Sequence, residues 1–264
     1  MPEALTENSE QPSRMEQMGS MSLLEHLEEL RKRIVWSIMA VAIAFFACFY
    51  YAPKIYAYVQ QPVLEALKDR NLAEQTLVFT NPIEPFNMYV KIGMVAGIFL
   101  ASPFVLYQVW MFIAPGLYRN EKKYVLPFMF STVALFVGGG IFGYKIVFPQ
   151  ALIFLIGFGS QFKPMITVSE YTSLFLTVIL GLGVVFELPI VISFLALMGL
   201  VSAGWLWRNI RYAILAIFII AAIVTPTPDV VNMCIFAAPM VVLYLVSIGA
   251  AWILHPSRRR AKQA

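Results

Sequence analysis

Long apolar runs recur six times between short polar connections, a pattern that no globular core uses. The runs cover residues 34–52, 86–114, 127–148, 171–200, 212–224 and 230–254. A helix crossing a bilayer at right angles needs about 20 apolar residues. Hydrocarbon offers no hydrogen bonds, so each spanning segment must pair its own backbone groups, and the runs are predicted to be membrane-spanning helices. The second and fourth runs are longer than needed and predict tilted or protruding helices. Residues 212–224 are too few to cross comfortably, at about 20 Å of helix. A locally thin bilayer or cover from neighbouring helices is expected there. Hydrophobic residues make up 60% of the chain and charged residues 13%. Soluble domains are about 25% charged, so the class is an all-α integral membrane protein.

Charge orients the bundle. Thirteen of the nineteen lysines and arginines fall on one side, among them Arg31, Lys32, Arg33, Arg119, Lys122, Lys123, Arg208 and Arg211. The positive-inside bias therefore places both termini in the cytoplasm, and an even number of spans agrees. The net charge of +4 does not imply nucleic-acid binding, because the basic residues sit beside spans rather than in a separate basic domain. Three parts are expected: a disordered acidic extension at 1–20, a transmembrane domain at 21–254 and a basic cytoplasmic tail at 255–264. The first 33 residues are too polar and acid-rich for a cleavable signal peptide. On the outside, residues 53–85 include PVLEALKDR, a candidate short surface helix, and residues 149–170 read as a loop of intermediate length. The turn TPTPD is stiffened by two prolines.

Glu187 is the most costly residue in the chain. It lies within an apolar span, two residues before Pro189. A charged, unpaired carboxylate at such depth costs on the order of several kcal/mol, so Glu187 needs a partner, a proton or water. Pro189 has no N–H for the carbonyl of Val185, which predicts a polar notch in the backbone beside it. Two roles stay open: contact with a polar group of another helix, or proton coupling in a secondary transporter of a small solute. A protonated acid hydrogen-bonded to a neighbouring helix needs no function at all.

The segment before the first span carries a capping box, Ser22-Leu23-Leu24-Glu25, and an apolar stripe of Leu23, Leu27, Leu30 and Ile34. Its charges, including an i,i+4 pair of Glu29 and Arg33, are explained equally by an interfacial helix with basic anchors. Glu121 sits among Arg119, Lys122 and Lys123 in a short loop, and alone reads as a solvated counter-charge. Asp229 precedes the sixth span, where helix capping accounts for it. Cys48 and Cys234 have no metal-binding spacing; two buried thiols or one disulfide are both open. With no Ser/His, HExxH or paired-Asp constellation and no phosphate-binding loop, neither an enzyme nor a cofactor or metal is expected.

Four motifs occur in order: HLEELRKR at 26–33, LYQVWMFIAPGLYRNEKK at 106–123, FELP at 186–189 and TPTPDV at 225–230. Together they resemble the TatC subunit of the twin-arginine protein translocase, over nearly the whole chain from Met21. The resemblance implies six helices in a concave, glove-like bundle in the bacterial cytoplasmic membrane. It implies a receptor for signal peptides with paired arginines, exporting folded proteins at the expense of the proton-motive force. Implied partners are TatA- and TatB-like single-span subunits, membrane lipids and further copies of the chain. Glu29 and Glu121 match the carboxylates of the signal-peptide site, and Arg31 and Phe112 match further positions on that face. Arg31 is suited to holding a carboxylate, Phe112 to packing on the apolar part of the signal. Glu187 matches the intramembrane acid and Asp229 the acid of the last outside turn. The chain departs from the pattern at Met233 and Leu245, where polar residues are common in the family.

Overall fold

The structure, a computed structural model, describes residues 23–68, 77–114, 125–159, 161–162, 165–224 and 230–254. Helix α1 (Leu23–Tyr50) is followed by two short helices, α2 (Ala52–Val59) and α3 (Gln61–Lys68). Then come α4 (Glu84–Ile113), α5 (Val125–Phe142), a π turn (Gly143–Val147) and α6 (Phe148–Phe158). The chain continues through α7 (Val168–Val185), α8 (Leu188–Leu197), α9 (Ala203–Arg208), α10 (Ile210–Val224) and α11 (Val230–Leu254). Among the described residues, five stretches are long and apolar enough to cross a membrane: Glu25–Tyr50, Glu84–Ile113, Val125–Phe158, Val168–Leu197 and Met233–Ile253. The short fifth run forms the apolar helix Ile210–Ile223. The expected all-helical membrane architecture is therefore present.

The third span departs from the sequence reading. It does not stop at Phe148 but runs on to Phe158, so much of the expected loop at 149–170 is helix. The reason lies at Pro149, whose ring would meet the carbonyl of Lys145 in a regular helix. The π turn directly before it widens the helix and lets the chain continue in the same direction. The candidate surface helix also behaves differently. α3 exists, but Pro62, Val63, Ala66 and Leu67 are buried, and the helix packs on α6 as part of the core. Tyr171 of α7 donates its hydroxyl to the carbonyl of Val59, and Tyr144 donates to the carbonyl of Tyr58 at 3.0 Å. The α2–α3 cap is thereby tied to two spans. Thr167 caps α7 by accepting from the N–H of Glu170, and Val78 pairs with the same segment through a single β-bridge.

Helices α1 and α4 pack antiparallel over most of their length. Glycine sets how close they come. A Cβ on Gly97 would lie 2.9 Å from the Phe45 Cα, and one on Gly93 would lie 3.1 Å from that of Phe49. Small residues at such crossings replace the hydrophobic drive that lipid removes. Toward the other end of α4, Trp110 is buried, donates to Thr132 of α5 at 3.0 Å and stacks on Phe128 at 5.6 Å. Its edge-on contact with Phe194 adds α8 to the same cluster. We call this the N-terminal face, because it carries the start of α1.

Cys48 is buried and Cys234 exposed, and both are free thiols, which removes the disulfide alternative. The capping box at Ser22, the turn at 225–229 and the parts 1–20 and 255–264 lie outside the described residues.

The packing predicts an asymmetric response among glycines. Gly97→Val should force α1 from α4 and destabilise the detergent-solubilised protein by about 1–3 kcal/mol, the usual cost of overpacking. Gly138→Ala, where a Cβ meets nothing within 4 Å, should leave the melting temperature within error. Thermal unfolding of the two variants checks this.

Candidate functional site

One polar stripe at the start of α1 faces inward, while Glu25, Glu28, Arg31 and Lys32 are exposed. His26, Glu29, Arg33 and Ser37 recur at helical spacing and are all partly buried, whereas Leu27, Ile34, Val35 and Ile38 are exposed. The apolar stripe that the sequence suggests thus divides, with Leu27 and Ile34 pointing outward and Leu30 partly buried. An interfacial helix would keep its charges in water. Here Arg33, with Glu29 in its grip, packs on the last turns of α4, continuous with a membrane span.

Arg33 grips Glu29 from one edge. Its Nε donates to Oε1 at 2.9 Å and its Nη2 donates to the same oxygen. Its Nη1 donates to Oε1 of Gln108 on α4, at 3.1 Å. Ser37 closes the turn by donating to the carbonyl of Arg33 at 2.9 Å. One turn before Glu29, the His26 ring stacks on Phe112, with centroids 4.3 Å apart and planes 13° from parallel. Gln108 and Phe112 are i,i+4 neighbours and so share one face of α4. Trp110, between them in sequence, anchors the opposite face to α5 and α8. The local order of the LYQVWMF run therefore holds α4 on one side and furnishes the site on the other.

One atom is left over. Glu29 Oε2 is closed off from solvent and has no hydrogen-bond partner among the described residues. His26 Nδ1 stands 4.0 Å away. Beside this carboxylate lies a cleft of about 360 Å³, lined by Glu29, Lys32, Arg33, Trp36, Tyr107 and Gln108. A half-buried carboxylate with spare acceptor capacity and aromatic walls suits a cationic, planar donor.

The other expected positions are distributed as follows. Phe112 joins Glu29 through His26. Arg31 is exposed, and among the described residues Arg33 rather than Arg31 holds Glu29. Glu121 and Asp229 lie outside the described residues. Glu187 stands where α7 ends and α8 begins. Its N–H reaches back only three residues, to Val184 at 3.1 Å, and its own carbonyl accepts from Ile190 and Val191. Its carboxyl is partly buried, and Oε1 has no partner among the described residues. On α11, Met233 is partly buried against the core and Leu245 is exposed. Among the described residues no cluster of His, Cys, Asp or Glu could hold a metal.

Sequence reasoning missed Gln108, Trp36 and the inward direction of His26. The signal for Gln108 was available: it is an amide in an apolar run, one turn from Phe112.

These features define a multi-span helical membrane protein with an acidic recess at one end of its first span and a second acid inside the fourth. The family model of the Sec-independent protein translocase protein (TatC) matches residues 25–239. The chain belongs to the TatC family. It is 62% identical over 248 residues to the Sec-independent protein translocase protein TatC of Koribacter versatilis, covering 94% of this chain and 91% of that one. The Helicobacter pylori J99 protein of the same name is 42% identical over 236 residues, covering 89% and 90%. A crystal structure of the twin arginine translocase receptor TatC superposes with a TM-score of 0.77 at 35% identity, covering 87% of this chain and 99% of that one.

The stack of His26 on Phe112 makes a geometric prediction. With Cys48 and Cys234 replaced by serine, the double variant His26→Cys/Phe112→Cys should be joined by a short bifunctional thiol crosslinker that fills the space of the two rings. A gel mobility shift after cleavage between α1 and α4 reads the link, and no crosslink in folded protein would contradict the proximity of the two positions.

Proposed function

We propose that the protein is the signal-peptide receptor and core subunit of a twin-arginine translocase, passing folded proteins across a bacterial cytoplasmic membrane. It is a transport protein, not an enzyme. Membership in TatC supports the reading, and one observation carries it to residues: the half-buried Glu29 on the wall of a cleft, with one oxygen unpartnered among the described residues. A guanidinium presents a planar fork that a carboxylate accepts through two bonds, whereas an ammonium is a point charge.

In this reading Glu29 and Glu121 receive the paired arginines. Phe112, stacked on His26, offers an apolar surface to the segment that follows them. Arg31, exposed and outside the Glu29 pair, is suited to holding a carboxylate of the site in place. The charge bias supports a cytoplasmic N-terminal face, with both termini on that side. Glu187 serves a polar contact with a partner helix or the inserting signal, and Asp229 caps the last outside turn. TatA- and TatB-like single-span subunits, lipids and further copies of the chain complete the assembly, and the proton-motive force drives it.

The alternative, a proton-coupled carrier of a small solute, draws on the unpartnered Oε1 of Glu187. Export assays separate the two. Glu187→Gln keeps shape and hydrogen bonding but not the charge, so under the receptor reading export should persist at reduced rate. Lost solute uptake with unchanged export would favour the carrier.

The main test is binding of a twin-arginine signal peptide and its twin-lysine variant to the full-length protein. Wild type should prefer arginine. Glu29→Ala and Glu121→Ala should each weaken the arginine peptide about 10-fold or more, the scale of a hydrogen bond to a charged group. Equal, weak binding of both peptides to all three proteins would overturn the reading.

A further inference from the structure

Arg33 already supplies Glu29 with what an incoming arginine would bring. Two donors of its guanidinium converge on Oε1, and a third reaches Gln108 across the helix pair. The hold is one-sided: among the described residues Oε2 receives no hydrogen bond. A guanidinium that meets the carboxylate fork to fork engages both oxygens through parallel bonds, a better arrangement than two donors crowded on one. The pair is not sealed: both side chains are about one-fifth exposed, at 20% for Arg33 and 19% for Glu29. Both also line the cleft with Trp36 and Tyr107. Gln108 gives Arg33 somewhere to remain when it leaves the carboxylate, since its amide oxygen lies on the far side of the guanidinium.

We propose that Arg33 is a built-in occupant of the arginine-recognition site. In the empty receptor it holds Glu29, and one guanidinium of an arriving arginine pair displaces it while Gln108 retains it nearby. The inference rests on the reading of Glu29 as a signal-peptide anchor.

Self-occupation has a defined thermodynamic effect. Every ligand that needs Glu29 binds more weakly by the same factor, the reciprocal of the fraction of receptor whose carboxylate is free. Relative preference for arginine over lysine is unchanged by that factor. Absolute affinity falls for both, so a ligand that starts weaker drops below the concentrations at which it would bind. Arg33 therefore sets a common affinity threshold, which the tighter-binding forked donor passes and the weaker point charge does not. A purely structural Arg33, which merely orients Glu29, predicts the reverse, since its loss would weaken all ligands.

The test uses variants that keep net charge constant, so that long-range attraction of a basic peptide does not change. Arg33→Lys keeps a cation but loses the converging donors. Gln108→Ala removes the acceptor that retains Arg33 once it is displaced, without altering Glu29. Binding of the twin-arginine peptide and its twin-lysine variant is measured on full-length protein in detergent, with melting temperature and elution volume as checks of folding. Arg33→Lys should bind both peptides more tightly by a common factor, roughly 3-fold, the scale of a partly exposed ion pair. The gain should vanish when Glu29→Ala is added. Gln108→Ala should bind both peptides more weakly by a common factor, because a displaced Arg33 then loses its retaining partner, and adding Arg33→Lys should relieve that loss. Weaker or unchanged arginine-peptide binding by folded Arg33→Lys would overturn the proposal, as would a gain that persists without Glu29. Should Arg33→Lys not fold, tighter or unchanged binding by Gln108→Ala overturns it instead. A wild type that does not prefer arginine, or a Glu29→Ala variant that binds as well as wild type, would instead remove the receptor reading itself.

Discussion

The close approach of α1 to α4 is the constraint on which the site depends. Gly97 and Gly93 let the two backbones meet near Phe45 and Phe49, and the antiparallel register then runs to Arg33 beside Gln108 and His26 over Phe112. These contacts lie far apart along the helices yet keep one alignment. A larger residue at Gly97 would act on the carboxylate at the far end through the tilt of α1. The polar stripe of α1 would otherwise be an ordinary water-facing stripe. Packed on α4, it becomes a recess in which Glu29 is partly shielded. At 4 Å two unit charges interact by about 1 kcal/mol in bulk water and about 4 kcal/mol at the effective dielectric of a protein surface. Shielding of that degree makes a carboxylate selective while leaving its partners exchangeable.

Much of the fold was legible because lipid imposes a simple rule on sequence. Apolar runs of sufficient length had to be helices, and even the short fifth run appeared as Ile210–Ile223. What escaped was decided by contacts between elements. The extension of the third span past Pro149 depends on a π turn that no apolar count reveals. The burial of α3 depends on Tyr171 and Tyr144 reaching up from two different spans. At the site, the Glu29–Arg33 pair was readable as an i,i+4 spacing. Its significance was not, because Gln108 stands seventy-five positions away in the chain. For the same reason the sequence did not single out Arg33 as the holder of Glu29 beside an amide of α4: the helix turns Arg33 toward α4 and Arg31 outward.

Glu187 shows the same dependence on neighbours. Pro189 interrupts the backbone ladder, and the chain tightens at Glu187 before α8 begins. Such a break is tolerated in a membrane only where protein covers it. Gly139 of α5 allows that cover: a Cβ there would lie 2.7 Å from the carbonyl of Leu182 and 2.8 Å from the ring of Phe186. The ring of Phe186 also meets Phe142, at 5.4 Å. Ser193 adds a hydroxyl bond to the carbonyl of Pro189, inside the first turns of α8. The glycines of α5 and the FELP break of the fourth span are therefore one structural unit, though the two motifs are far apart in sequence.

The two carboxyl groups differ in what surrounds them, and this separates their proposed tasks. Glu29 has a guanidinium on one oxygen, an open cleft beside it and an amide within reach of its partner. Exchange of one cation for another there never leaves the half-buried carboxylate unpaired, which is the costly state for a buried charge. Glu187 has no cation among the described residues and lies within an apolar stretch. A bare guanidinium arriving at that depth would bring its full desolvation cost with it. A polar group carried on a helix loses little further hydration on docking and requires no charge at all. In the proposed scheme, recognition by charge therefore belongs at the N-terminal face, and the intramembrane acid is suited to a neutral contact.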